Sequence, residues 1–120
     1  MESYKMGVVE TRFAELIWDH EPIGSGELVR LAGQELNWKK STTYTVIKKL
    51  CDKGIFKNEN SVVSSAISRE QYLARQSRQF VEETFAGSLP GFLAAFTKEE
   101  TLNDEEIAQI RQVIDGLGKR

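Results

Sequence analysis

Apolar and polar positions recur with a helical period three times before residue 54. In VETRFAELIWDH, Val9, Phe13, Leu16 and Ile17 share one face with Trp18 at its edge, which predicts an amphipathic helix ending near His20. EPIGSG breaks the period with Pro22 and two glycines and predicts a turn. Ser25 is placed to cap a second helix, GELVRLAGQEL, whose Leu28, Leu31 and Ala32 point inward. A third stripe of Thr43, Val46, Ile47, Leu50 and Cys51 predicts a helix over residues 41–53, closed by Gly54.

After Gly54 the pattern changes. IFKNENSVVSSAIS is rich in β-branched residues around a polar centre at Asn58 to Ser61, which predicts a short hairpin. Helical patterning resumes at Arg69 and predicts helices over 69–86, 89–96 and 103–117, with Gly87, Pro90 and Gly91 as breaks. Asn103 caps the last helix, with Glu106 three residues on. Three helices, a hairpin and further helices make a mainly α chain with a short β-hairpin. That is the outline of a winged helix-turn-helix over residues 1–68, followed by a helical domain over 69–120.

Composition narrows the class. A chain of 120 residues can bury a sufficient core without a disulfide or metal staple, and its single cysteine, Cys51, precludes an internal disulfide. That usage fits a reducing cytoplasm. No run of apolar residues approaches a membrane span, and MESYKMGVVE lacks the basic-then-apolar pattern of a signal peptide, so a soluble cytoplasmic protein is expected. His20 has no second ligand at metal spacing, and no nucleophile–base pair is visible, so neither a metal, a cofactor nor an enzymatic activity is expected.

The net charge of −2 hides an uneven distribution. Between Asn37 and Lys57 six lysines face one acid, Asp52, while the rest of the chain is net acidic. The third helix therefore turns a face of Ser41, Thr42, Tyr44, Thr45, Lys48 and Lys49 away from its apolar stripe, with Lys39 and Lys40 just ahead. Short hydroxyl side chains suit base edges or phosphates at close range, and flexible lysines suit phosphates along the backbone. These eight residues are the candidate contacts to double-stranded DNA. The alternative is a winged-helix module that binds protein and has no DNA target.

The C-terminal half carries more large apolar groups than three short helices can cover within one chain. Tyr72, Phe80, Phe85, Leu89, Phe92, Leu93, Phe96, Ile110 and Ile114 are the expected interface of a homodimer.

Three pieces in register, LIW at the end of the first helix, W…STTYTVIKKLCDKG, and F…GSLPGFLAAF, resemble the bacterial penicillinase-repressor family, which also holds methicillin-resistance regulators and copper-responsive repressors. The resemblance spans roughly residues 8–116. It implies a homodimeric repressor with an N-terminal winged helix and a C-terminal helical dimerisation domain, bound to a palindromic operator. On the matching positions Ser41, Thr42, Thr45 and Lys49 would read DNA, with Lys39, Lys40 and Lys48 nearby. In the β-lactam-responsive branch a membrane-bound sensor protease triggers cleavage in the dimerisation domain. The corresponding bond here would lie near Ala95–Phe96, although the asparagine–phenylalanine pair of the better-known cleaved members is missing. The hairpin tip NENS holds Glu59 and no arginine, and the cysteine-rich tail of the copper-responsive members is missing.

Overall fold

The computed structural model describes residues 5–118; the first four residues of the N-terminal stretch assessed above lie outside them. The chain divides into two compact units, one running to Gln79 and one starting at Phe80.

In the first unit, α1 (Val8–His20), α2 (Ser25–Leu36) and α3 (Lys40–Asp52) precede β2 (Phe56–Glu59) and β3 (Val62–Ser65). A two-residue strand, β1 (Ile23–Gly24), joins them, and the sheet order is β1-β3-β2, antiparallel throughout. Ile23 faces Val63, and Phe56 faces Ser65. The hairpin closes on Asn60 and Ser61, both at positive φ (53° and 63°), the conformation that lets a two-residue turn follow the twist of its strands. This is a winged helix with a third strand added. Sequence patterning reads EPIGSG as a turn only, because a two-residue strand has no period of its own and exists through pairing with distant β3.

Phe13, Ile17, Leu28, Leu50, Ile55 and Val63 are fully buried at the centre of the unit. Phe13 packs on Trp38 with ring centroids 4.9 Å apart, and Trp18 packs on Phe56 at 5.1 Å. The α1 stripe starts at Phe13, since Val9 is exposed. Ser25 does not cap α2. Gly24 holds that position, and Ser25 is buried with its hydroxyl 3.3 Å from the Tyr44 hydroxyl. Gly54 follows α3 at φ +79°, a left-handed conformation suited to glycine at a helix end.

The helix α4 (Arg69–Phe85) starts in the first unit. The Arg69 guanidinium lies 2.7 Å from both Glu15 and Asp19 of α1 and sits over the Trp18 ring. Trp18 in turn donates from Nε1 to the Ile67 carbonyl at 3.2 Å. Tyr72, one turn on, is buried and packs on Trp18 at 5.7 Å. Its expected place in a dimer interface is therefore corrected: Arg69 pins the first turn of α4 to α1, and the Tyr72 ring belongs to the N-terminal core.

The second unit holds the end of α4, then α5 (Leu89–Glu99) and α6 (Asp104–Leu117). Gly87 closes α4 at φ +82°, with its amide donating to the Val81 carbonyl. Pro90 and Gly91 do not separate helices but lie in the first turn of α5, capped by the Ser88 hydroxyl accepting from the Gly91 amide at 2.9 Å. Asn103 caps α6 in a reciprocal box with Glu106, matching the sequence pattern. Phe80, Phe85 and Phe92 meet edge to face at 5.5–6.0 Å. No described side chain of this unit is fully covered: Phe85, Phe92, Leu93 and Ile110 are half-buried, while Phe80, Leu89, Phe96, Val113, Ile114 and Leu117 are exposed.

Candidate nucleic-acid interface

Helix α3 owes its position to its inner row. Thr43, Ile47 and Leu50 are buried at helical spacing, and Val46 and Cys51 are half-buried on either side. Threonines are tolerated because their hydroxyls are satisfied locally. Thr43 Oγ1 donates to the Lys39 carbonyl at 3.2 Å, and Thr45 Oγ1 to the Ser41 carbonyl at 2.9 Å. The exposed Thr45 hydroxyl oxygen keeps lone pairs that can accept from a ligand.

All eight candidate residues are exposed. They do not form one uniform face. Ser41, Thr45, Lys48 and Asp52 recur at three- and four-residue spacing and make the outermost row, opposite the buried one. Lys48 Nζ lies 3.1 Å from Asp52 Oδ2 along this row. Tyr44 lies to one flank, where its hydroxyl meets Ser25 of α2. Lys49 and Thr42 lie to the other, where Lys49 Nζ approaches Glu10 Oε2 of α1 at 3.1 Å. Lys39 and Lys40 stand at the helix start. No side chain caps that end, so the amides of the first turn are free to donate outward.

Two residues at this surface escape sequence reasoning as partners. The Lys48–Asp52 pair is legible as an i, i+4 contact, but Ser25 and Glu10 reach α3 only through the tertiary fold. Burial on its own would raise the Glu10 carboxyl; the Gly7 amide, Lys49 and Lys53 outweigh it and hold the group below its ordinary 4.5. Glu10 is thus ionised at neutral pH. Cys51, on the inner side of the same helix, has its thiol pushed up by burial and by Asp52, which suits a packing residue rather than a reactive one.

The surface offers hydroxyls in a row, a free helix start and lysines on its margins, a set that can donate to phosphates and to base edges. No cluster of three or more metal-ligating side chains occurs among the described residues, nor is any described helix long and apolar enough to cross a membrane.

The chain matches the sequence model of a family described as "Penicillinase repressor" over residues 6–116. It is 23% identical to a penicillinase repressor of Bacillus licheniformis over 110 residues, 88% of this chain and 86% of that protein. It is 20% identical to the methicillin resistance regulatory protein MecI of Staphylococcus aureus strain Mu50 over 118 residues, covering 95% and 96%. A penicillinase repressor of Staphylococcus aureus is 23% identical over 120 residues, covering 97% and 95%.

Proposed function

Because the chain belongs to the penicillinase repressor family, a family of transcriptional repressors and not of enzymes, we propose that it is a homodimeric, sequence-specific repressor whose α3 enters the major groove of a palindromic operator. The observation that carries this reading is the outward row of Ser41, Thr45 and Lys48 on a helix anchored by Thr43, Ile47 and Leu50. Helix-turn-helix proteins present such a helix to base edges, while surrounding lysines and amides set its register on the backbone. On this reading Ser41, Thr42, Tyr44 and Thr45 read bases or nearby phosphates, and Lys39, Lys40, Lys48 and Lys49 contact phosphates. The winged helix over 1–68 is the DNA-binding domain, and the helices from Arg69 onward carry dimerisation. The same reading places the protein in the cytoplasm, where its operator lies.

Two features support pairing through the second unit: its exposed Leu89, Phe96, Val113, Ile114 and Leu117, and an aromatic cluster covered only in part. A two-fold axis would bury these groups and set two α3 helices on successive turns of duplex.

Selection of bound duplexes from a random pool tests the function. The expected product is a palindrome with half-sites one helical turn apart or a multiple of it. Recovery of unrelated sequences with no repeated half-site would reject sequence-specific repression and favour a protein-binding module.

Release by a membrane-bound sensor protease is the finer part of the proposal. The Ala95–Phe96 bond is exposed but lies inside α5, so cleavage there requires local unwinding of that helix. Fragment masses from induced cells should then show a terminus at Ala95, and an intact chain in induced cells would reject this route.

A further inference from the structure

We propose that Glu10 is a positioning residue that competes with DNA phosphate for Lys49, holding back part of the positive charge of α3 from the duplex. The proposal deepens the reading of α3 as a DNA-contacting helix and rests on it.

The geometry is asymmetric. Glu10 is the third residue of α1, and its Oε1 accepts from the Gly7 amide at 3.1 Å, which fixes the carboxylate on the helix end. Its other oxygen, Oε2, faces α3 and lies 3.1 Å from Lys49 Nζ. The Glu10 side chain is 19% exposed and that of Lys49 is 55% exposed, so the anion is held in the fold while the cation remains reachable from solvent. Oε2 is shielded from solvent, so its charge is met by Lys49 Nζ at 3.1 Å rather than by water. The neighbouring Lys53 does not take over this role at close range, because its Nζ donates to the Lys5 carbonyl at 2.6 Å.

The other lysines of the surface are differently placed. Lys48 pairs with Asp52 along the helix with both side chains mostly in water (77% and 66% exposed), an arrangement that screens readily and yields to phosphate. Lys39 and Lys40 form no ion pair among the described residues. Among the described residues, Lys49 is the one of these four opposed by a carboxylate that the fold pins and partly shields. A phosphate that recruits Lys49 must draw it from Glu10, so its contribution to affinity is offset in the native chain.

The test measures binding of the full chain to a labelled duplex of random sequence over a salt series, for the unsubstituted protein, Glu10→Gln, Lys49→Met and the double variant. Glutamine keeps an oxygen for the Gly7 amide, and methionine keeps the apolar stem of lysine. One recovered phosphate contact corresponds to a slope steeper by about 0.9 and, near physiological salt, to a gain of about fivefold per chain. Glu10→Gln is therefore expected to tighten binding by about that factor and to steepen the slope. Lys49→Met alone should weaken binding by less than one full phosphate contact, because Glu10 already offsets it, and the double variant should bind no tighter than Lys49→Met. Tightening cannot arise from a damaged fold. Glu10→Gln binding with unchanged affinity and slope, or a double variant that keeps the gain, would overturn the proposal. A flat salt dependence in the unsubstituted protein would overturn the DNA-binding reading itself, a result separate from either.

Discussion

Phe13→Ala is expected to remove most of the stability of the N-terminal unit and, with it, DNA binding. The Phe13 ring has no solvent exposure and stacks on Trp38 at the centre of the core. Truncating a buried phenylalanine costs about 3–5 kcal/mol, the lost transfer energy plus the cavity left behind. A small domain holds only about 5–15 kcal/mol in all. The two tryptophans, Trp18 and Trp38, both lie in this unit and report its unfolding directly. Their denaturant midpoint should fall steeply in the variant. A loss below about 1 kcal/mol would mean that the helices do not pack as described.

The second large effect lies at the other end of the chain. Ile114 is 56% exposed on α6, beside the exposed Val113 and near the exposed Leu117. In a single chain Ile114→Glu should cost little, because the new carboxylate stays in water. In a dimer joined through this face the two-fold axis buries a charge from each copy among apolar groups. A penalty of about 3 kcal/mol corresponds to dissociation at least a hundredfold weaker. Sedimentation should show monomers with unchanged helical content, and operator binding should collapse because each monomer engages one half-site. A dimer that persists at the same concentration would move the interface away from α6.

The contrast between these positions shows what linear patterning can convey. Phe13, Ile17, Leu28, Leu50 and the Asn103–Glu106 box were legible because each signal is local: a 3.6-residue period or a capping pair three residues apart. The outward placement of Ser41, Thr45 and Lys48 was legible for the same reason, being the complement of a strong inner stripe. Tyr72 was misplaced because an apolar position on a helix announces that it will be covered without saying by what. The covering group, Trp18, comes from α1, more than fifty residues earlier in the chain, on the helix that Arg69 also contacts. Strand β1 and the contacts of Glu10 with Lys49 and of Ser25 with Tyr44 likewise join segments distant in sequence. A single chain offers no periodic signal for such pairs.

That distinction also bears on charge. Counting six lysines between Asn37 and Lys57 treats them as equivalent, yet the fold opposes Lys49 with a fixed carboxylate, while among the described residues Lys39 and Lys40 meet none. The effective positive field of α3 is therefore weaker on the flank facing α1 than at the helix start. This difference reflects tertiary structure rather than composition.

The central claim is that the outward row of α3 is the surface that meets duplex DNA. Amide shift mapping of the labelled protein with a duplex recovered from the random pool tests it most directly. The account expects the largest perturbations from Lys39 through Lys49, with the amides of Ile107 to Leu117 almost unmoved. Perturbations centred on another element, with those of α3 unchanged at saturation, would contradict it.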